Sequence, residues 1–305
     1  MKKEYQISDC RVVEGCAPQY QINVYVNPNK DEKDYLTNTL KIDEHTLTSA
    51  LDPDELARLE FEPNHAALIF KRPKSYCAAD NFLFRVASTG AFLFKDQLVV
   101  VLSDDVPLFD GKQFSKIHSL NDLLLKLVFR SVTHFTEHLR IINMIVEDLE
   151  SKSKVAMENK HLLNIFTIEK SLVYYYNAIT SNGMLIEKLK NNAAKLGFTP
   201  DEVEILDDLI IENTQCTKQA EIYSSIFAEL MDARTGIIGN NLNVLMKTLN
   251  IITIMIMVPT LVVSAFSMNV HMPFNPQHPA TFWVIMTLAA ISVFAVLMVW
   301  RYKKW

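Results

Sequence analysis

The sequence predicts an α+β body, then long helices, then a two-helix transmembrane hairpin. Three observations carry that prediction. Charge is segregated: all 35 acidic residues precede position 247, so residues 1–246 set 26 Lys+Arg against 35 acids for a net −9, while the last 59 residues hold four bases and no acid. Strand-like runs are confined to the first 118 residues, after which no Gly or Pro occurs from Lys112 to Asn182. Two uncharged apolar runs, Thr248–Met268 and Phe282–Trp300, close the chain, each near the ~20 residues a helix needs to cross a ~30 Å hydrocarbon core.

Residues 1–118 read as an α/β domain. The strand-like runs are QINVYV (21–26), AALIF (66–70), NFLFRVA (81–87) and QLVVVL (97–102), with short helical patterns near 31–40 and 43–58. Gly90 and Pro107 punctuate the later strands. The N-terminal MKKEYQISDC has no apolar signal-peptide core, which argues against secretion by a cleaved signal.

Residues 119–198 read as an antiparallel helical pair. Ser119 followed by Asp122 starts the first helix. Leu120, Leu123, Leu124 and Leu127, then Phe135, Ile142, Ile145 and Leu149, continue one apolar stripe. The polar SKSK (151–154) marks a turn or break, and the second helix ends at Lys195–Leu196–Gly197 with glycine in the usual C-terminal position.

Residues 199–267 read as a stalk helix that continues into the first span (about 247–267). Thr199–Pro200–Asp201–Glu202 supplies an N-cap, a first-turn proline and an acid three residues after the cap. If the helix passes Gly236 and Gly239, residues 201–267 reach roughly 100 Å at 1.5 Å per residue; the alternative is a break at 236–239. Residues 201–232 hold nine acids and one base, Lys218. Most fit a solvated face. Repeated about a symmetry axis they would repel one another unless cations bridged them, and hard divalent cations take carboxylate oxygens. Asp201, Glu204, Asp207, Asp208, Glu212 and Glu221 are the candidate regulatory acids.

Residues 268–281, rich in Pro and Asn, form the loop between the spans. The second span is 282–300, and 301–305 is a basic tail. RYKKW carries three bases and the loop none, so the positive-inside rule places both termini in the cytoplasm and the loop outside. Trp283, Trp300, Tyr302 and Trp305 stand where interfacial aromatics belong. In the first span Asn243, Met246, Asn250, Thr253, Met257, Thr260, Ser264 and Ser267 recur at alternating three- and four-residue steps, which places them on one helix face. A polar stripe in lipid is costly unless it faces protein or water. One hairpin cannot enclose water, but several copies around an axis can. The alternative is a helix-packing seam, since Ser and Thr allow close approach. Pro259 removes one backbone bond mid-span.

Other classes are disfavoured. The four cysteines (Cys10, Cys16, Cys77, Cys216) form no CxxC pair, so neither a disulfide framework nor a zinc knuckle is indicated. There is no GxGxxG or P-loop, so no nucleotide partner is expected. The acidic body argues against nucleic acid. His134–Phe–Thr–Glu137–His138 satisfies H-x-x-E-H, a zinc-protease pattern, but no third ligand follows from spacing, and a solvated helix face accounts for it.

At the membrane entrance the residues resemble a known family. Asn243-Val-Leu-Met-Lys247, Met257-Val-Pro259-Thr-Leu-Val, Phe266-Ser-Met-Asn269, Met272-Pro273 and the ending YKKW look like CorA-type magnesium channels. ALDPDELARLEFEPNHAALIFKRP (50–73) reads like that family's cytoplasmic domain. The resemblance implies a CorA-like funnel built as a homopentamer, each chain giving its first span to the pore. It implies Mg²⁺ as both transported and regulatory ion, and no organic cofactor. The family's Gly-Met-Asn signature is Ser267-Met268-Asn269 here. By carry-over, Asn269 presents a ring of amides to the hydrated ion and Asn243 lies at the cytoplasmic end of the pore. Met246, Leu249 and Met257 match apolar gating rings. The pore-lining set is then Asn243, Met246, Leu249, Asn250, Thr253, Met257, Thr260 and Ser264. Ser267 adds a side chain where the family has none, and the loop carries His271 and His278 without an acid. Both departures bear on ion choice among Mg²⁺, Co²⁺, Ni²⁺ and Zn²⁺. Rival readings are a zinc carrier of the ZntB type and a non-conducting membrane-tethered sensor.

Overall fold

The computed structural model describes residues 1–15, 22–77, 80–153, 159–268 and 279–303. The chain divides into two compact units, Met1–Glu229 and Leu230–Trp305.

Among the described residues the first unit is built on a seven-stranded sheet. Its strands are β1 (Lys2–Ser8), β2 (Arg11–Glu14), β3 (Ile22–Val26), β4 (Arg58–Phe61), β5 (His65–Pro73), β6 (Val86–Phe94) and β7 (Leu98–Leu102), in the order β2-β1-β3-β7-β6-β5-β4. Only β3 and β7 pair in parallel, with Val24 opposite Val100; every other neighbour is antiparallel. The sheet is therefore α+β rather than an alternating α/β unit. β3 and β7 lie at its centre and are buried along their whole length, which explains their near-continuous apolar sequences.

The strand expected over 81–87 is displaced. Residues 74–85 connect β5 to β6. Asn81 and Phe82 adopt positive φ, Asp80 accepts from the Cys77 amide at 2.8 Å, and Tyr76 stacks on Phe84 at 4.3 Å. Phe84 is buried as an anchor under the helices, not as a strand residue. The helix expected over 43–58 stops at Ser49. β1, β2 and β4, three strands of mixed polarity, were not legible in the sequence because they lie toward the sheet's edges and bury little.

One face of the sheet is covered by α1 (Lys30–Asp34), a π turn at Tyr35–Thr39 and α2 (Glu44–Ser49). Leu36, Ile42, Leu47 and Ala50 pack there on Tyr25, Ala67, Ile69, Phe92, Val99 and Val101. Asn29 opens α1 with a capping box to Glu32, and Asp43 caps α2. Gly90 does not punctuate a strand; it sits within β6, where an added Cβ would meet the Ala50 Cβ at 2.5 Å. Glycine is what lets α2 approach the sheet.

By the two-residue period, Ala66, Leu68 and Phe70 face the other way. There α3 (Leu120–Ser153) and α4 (Asn159–Asn191) pack on β5. β5 outruns its partner β4, whose pairing ends at Arg58 opposite Ile69. The free edge at Lys71 is closed by Asn182 of α4, which accepts from the Lys71 amide and donates to its carbonyl, both at 2.8 Å. Ser131 of α3 also donates to that carbonyl. A side-chain amide thus stands in for a strand. Lys71 is itself buried, donating to the Pro53 carbonyl at 2.9 Å and Ser88 Oγ at 2.8 Å; burial lowers its pKa to about 8.

Ser119 Oγ caps α3 by accepting from the Asp122 amide at 2.9 Å. α3 runs through residues 151–153 of the expected break, and residues 154–158 lie outside the described set. After α4, α5 (Ala193–Leu196) ends on Gly197 at φ 70°. α6 (Pro200–Phe266) is then uninterrupted through Gly236, Gly239 and Pro259. Thr199 and Glu202 make its reciprocal cap, at 2.8 and 3.3 Å. Leu206, Leu209, Asn213, Cys216, Ala220 and Phe227 form its buried stripe. α4 comes close to it at Gly183, where a Cβ would lie 2.8 Å from Asn213 Nδ2.

The second unit comprises the rest of α6 and α7 (Pro279–Lys303). Both helices are long and apolar enough to cross a membrane, and none of the most apolar stretch of α6 is buried.

Candidate functional site

The first span is helical because Ile, Leu, Met and Val fill it, and because its hydroxyls are satisfied within the helix. Thr248, Thr253 and Thr260 each donate to the carbonyl four residues back, at 2.9, 2.9 and 2.6 Å. This back-bonding lets a hydroxyl sit in an apolar setting while its oxygen still accepts outward. Pro259 leaves the Met255 carbonyl without its usual donor. The helix closes at Ser267, whose amide and hydroxyl both donate to the Ser264 carbonyl, at 3.1 and 2.8 Å.

Two faces of this segment differ sharply. Ile251, Met255, Val258, Val262 and Phe266 are half-buried. On α7 the covered positions are Thr281, Ile285, Ala289, Ser292, Val296 and their neighbours, with Ala289 only 8% exposed. Asn243, Met246, Asn250, Thr253, Met257, Thr260, Ser264 and Ser267 are all exposed. At ~100° per residue the covered and polar faces of α6 point about 180° apart. The polar stripe is therefore not the seam for the chain's own second span. Leu249, at 58% exposure, borders the stripe. Ser267 and Met268 are exposed at the helix end; Asn269, His271 and His278 lie outside the described residues.

The six candidate acids do not converge. Asp201, Glu204, Asp208, Glu212 and Glu221 are exposed along α6. Asp207 pairs with Lys190, and Glu221 with Lys218 at 2.7 Å. Among the described residues no group of three or more His, Cys, Asp or Glu could hold a metal within one chain. One acid of the run, Glu202, is not surface charge at all: it is buried, caps α6 and accepts from Ser119 Oγ.

The H-x-x-E-H residues divide between the core and the surface. His138 is buried with Nδ1 2.7 Å from the Tyr175 hydroxyl, and its ring lies 4.4 Å from that of His134. Burial, aided by Arg130 and Arg72 near His134 and by the mutual repulsion of the pair, lowers both pKa values to about 4. Glu137 points outward to Arg130 at 3.4 Å. The motif is half core, not the solvated face expected, because α4 brings Tyr175 over it. The sequence reading also missed Lys71 and His65. The His65 ring is buried against Phe94 at 4.7 Å, with neither nitrogen hydrogen-bonded, and burial lowers its pKa. The signal for Lys71 was a Lys-Arg pair near the end of an otherwise apolar strand.

Comparison with known proteins extends over almost the whole chain. The family described as CorA-like Mg²⁺ transporter protein matches residues 21–304. The chain is 22% identical over 295 residues to the cobalt/magnesium transport protein CorA of Methanocaldococcus jannaschii, covering 90% of this chain and 88% of that one. Its fold is similar to the complete structure of the CorA magnesium transporter from the same organism, with a TM-score of 0.77 at 18% identity over 99% of this chain and 97% of the other. The full-length CmaX protein gives 0.72 at 15% identity over 99% and 97% of the two chains. The cytoplasmic domain of ZntB from Vibrio parahaemolyticus gives 0.58 at 11% identity, over 77% of this chain and 97% of that domain.

Proposed function

The chain belongs to the CorA-like Mg²⁺ transporter family, and from that premise we propose that it is a homopentameric channel admitting Mg²⁺ through the cytoplasmic membrane. The family membership and the two membrane-length helices support divalent-cation transport rather than catalysis. The observation that carries the finer reading is the placement of the polar stripe, exposed and turned away from α7. Five copies with that stripe inward form a pore in which Asn250, Thr253, Thr260 and Ser264 offer oxygens to a hydrated ion. Met246, Leu249 and Met257 provide apolar constrictions that close by dewetting. Ser267, Met268 and Asn269 form the outer mouth, where amides replace outer-sphere contacts of an ion that sheds water reluctantly.

Control by internal divalent ions follows from the acids of α6. They are spread out along one chain, so a bridging cation takes its oxygens from two neighbouring copies. At high internal Mg²⁺ the bridges hold the copies together; at low Mg²⁺ like charges push them apart and the pathway loosens.

Flux into proteoliposomes tests this, with Mg²⁺, Co²⁺, Ni²⁺ and Zn²⁺ offered separately, with and without a pH gradient. The expected result is Mg²⁺ entry that ignores the gradient. Asn269→Ala should reduce it about tenfold or more, a transition-state cost near 1.4 kcal/mol, without altering the melting of the first unit. Zn²⁺ entry that follows the proton gradient would move the protein to the carrier reading. No flux from intact pentamers would indicate a sensor.

A further inference from the structure

The hairpin contains a cleft that the proposed pore does not use. It lies between α6 and α7, has a volume of about 450 Å³, and is almost wholly apolar. α6 contributes Ile251, Ile254 and Val258; α7 contributes Ser292, Ala295, Val296 and Val299, with Trp300 at one end. The α6 positions continue one stripe that begins at Lys247, since 247, 251, 254 and 258 are spaced four, three and four. Lys247 is exposed and lies one helical turn from the cleft's end, the same end at which Trp300 stands.

The charge at this end is basic. Lys247 and Arg301 are present among the described residues, and in the sequence no acidic side chain follows Asp232. A lysine at the edge of a hydrocarbon layer reaches out to the headgroup level, where an indole also prefers to lie. An apolar cleft with an indole at one end and an ammonium one helical turn beyond it suits an amphiphile with an acyl chain and an anionic headgroup. We propose that it binds an anionic phospholipid, one acyl chain lying along Ile251, Ile254 and Val258 and the phosphate held by Lys247. The proposal requires only that the hairpin spans a membrane; it is independent of which ion is carried.

Native mass spectrometry of the full chain, released from nanodiscs of equal phosphatidylglycerol and phosphatidylcholine, tests it. The expected result is about fivefold preferential retention of phosphatidylglycerol, the effect of one basic side chain near the surface. Lys247→Gln should abolish the preference and Lys247→Arg restore it. Ala295→Trp, which fills the cleft, should displace both lipids. Phe294→Trp, on a position 69% exposed, should change nothing. Equal retention of the two lipids by the unaltered protein would overturn the proposal, as would a preference that survives both Lys247→Gln and Ala295→Trp. Loss of the oligomer in Ala295→Trp with lipid retention unchanged would also overturn it, since the cleft would then hold a helix of a second copy. Ion flux is read separately, so failure here leaves the pore reading standing, and the reverse.

Discussion

The two units bury their apolar side chains by different means. In Met1–Glu229, Ile22, Leu68, Phe92, Val100 and Leu139 are sealed by other segments of the same chain. In Leu230–Trp305, Ile256, Leu261, Phe294 and Met298 are more than 60% exposed, and among the described residues only Ala289 is buried. The same residue types therefore report two solvents. Where water surrounds the chain, apolar groups are withdrawn by folding. Where lipid surrounds it, they have no reason to withdraw, and the seam between the two helices combines large apolar groups of α6 with the smaller Thr281, Ala289 and Ser292 of α7. The difference teaches that exposure is informative only when read with the chemistry of the face. On α6 the exposed stripe opposite α7 is polar, and that asymmetry, not exposure alone, is what the proposed pore reading rests on.

The contrast breaks most readily at paired apolar truncations. Phe92→Ala should cost the first unit about 3–5 kcal/mol, whereas Leu261→Ala, at a position 71% exposed, should leave its denaturation midpoint unchanged. Chemical denaturation of the full chain in mild detergent, followed by near-ultraviolet circular dichroism, checks both.

Acid should weaken only the first unit. His138 is held neutral with a pKa of about 4 against an unfolded value near 6.5. The unfolded chain thus binds more protons between those values, so stability is full above pH 6.5 and declines as pH falls toward 4. The loss for His138 is at most about 3 kcal/mol, with His134 and His65 adding in the same direction. Melting temperatures measured from pH 7 to 4 should fall, and should flatten in His138→Gln.

A smaller effect sharpens the role of close approach. Gly90→Ala places a methyl against Ala50 and should cost about 1–3 kcal/mol. Ala50→Gly in the same chain should recover most of it, a coupling that a double-mutant cycle measures. The smallest is Thr199→Ala, which removes one half of the α6 cap and should cost about 1 kcal/mol, seen as faster amide exchange over residues 200–203. A change in exchange at residues 250–266 instead would show that the two units share one cooperative unit.

Much of this was written locally in the chain. The Thr199–Glu202 cap, the glycine after Leu196 and the uncharged runs near the C-terminus depend on neighbours within four residues or on length alone, and periodicity reads such features directly. The strand at 81–87 failed because its apolar residues serve two ends: Phe84 anchors beneath the helices, while Val86 begins the ladder opposite Pro73. An apolar run states that burial occurs, not against what. The nine acids between residues 201 and 232 illustrate the same limit, since charge could be counted but not its partners; Glu202 became a buried cap and Asp207 an ion pair.

What the sequence alone determined, then, is the α+β body, the helix from Pro200 onward, two spans, and a polar stripe on the first of them. What only the tertiary structure decided is which edge of β5 needs Asn182, which glycine admits α2, which half of H-x-x-E-H lies beneath Tyr175, and which face of α6 is turned from α7. The division has one physical cause. Helical and strand periods are properties of adjacent residues, whereas register, burial and hydrogen-bond completion arise between segments as far apart as Lys71 and Asn182, and no local pattern encodes which distant segment will arrive.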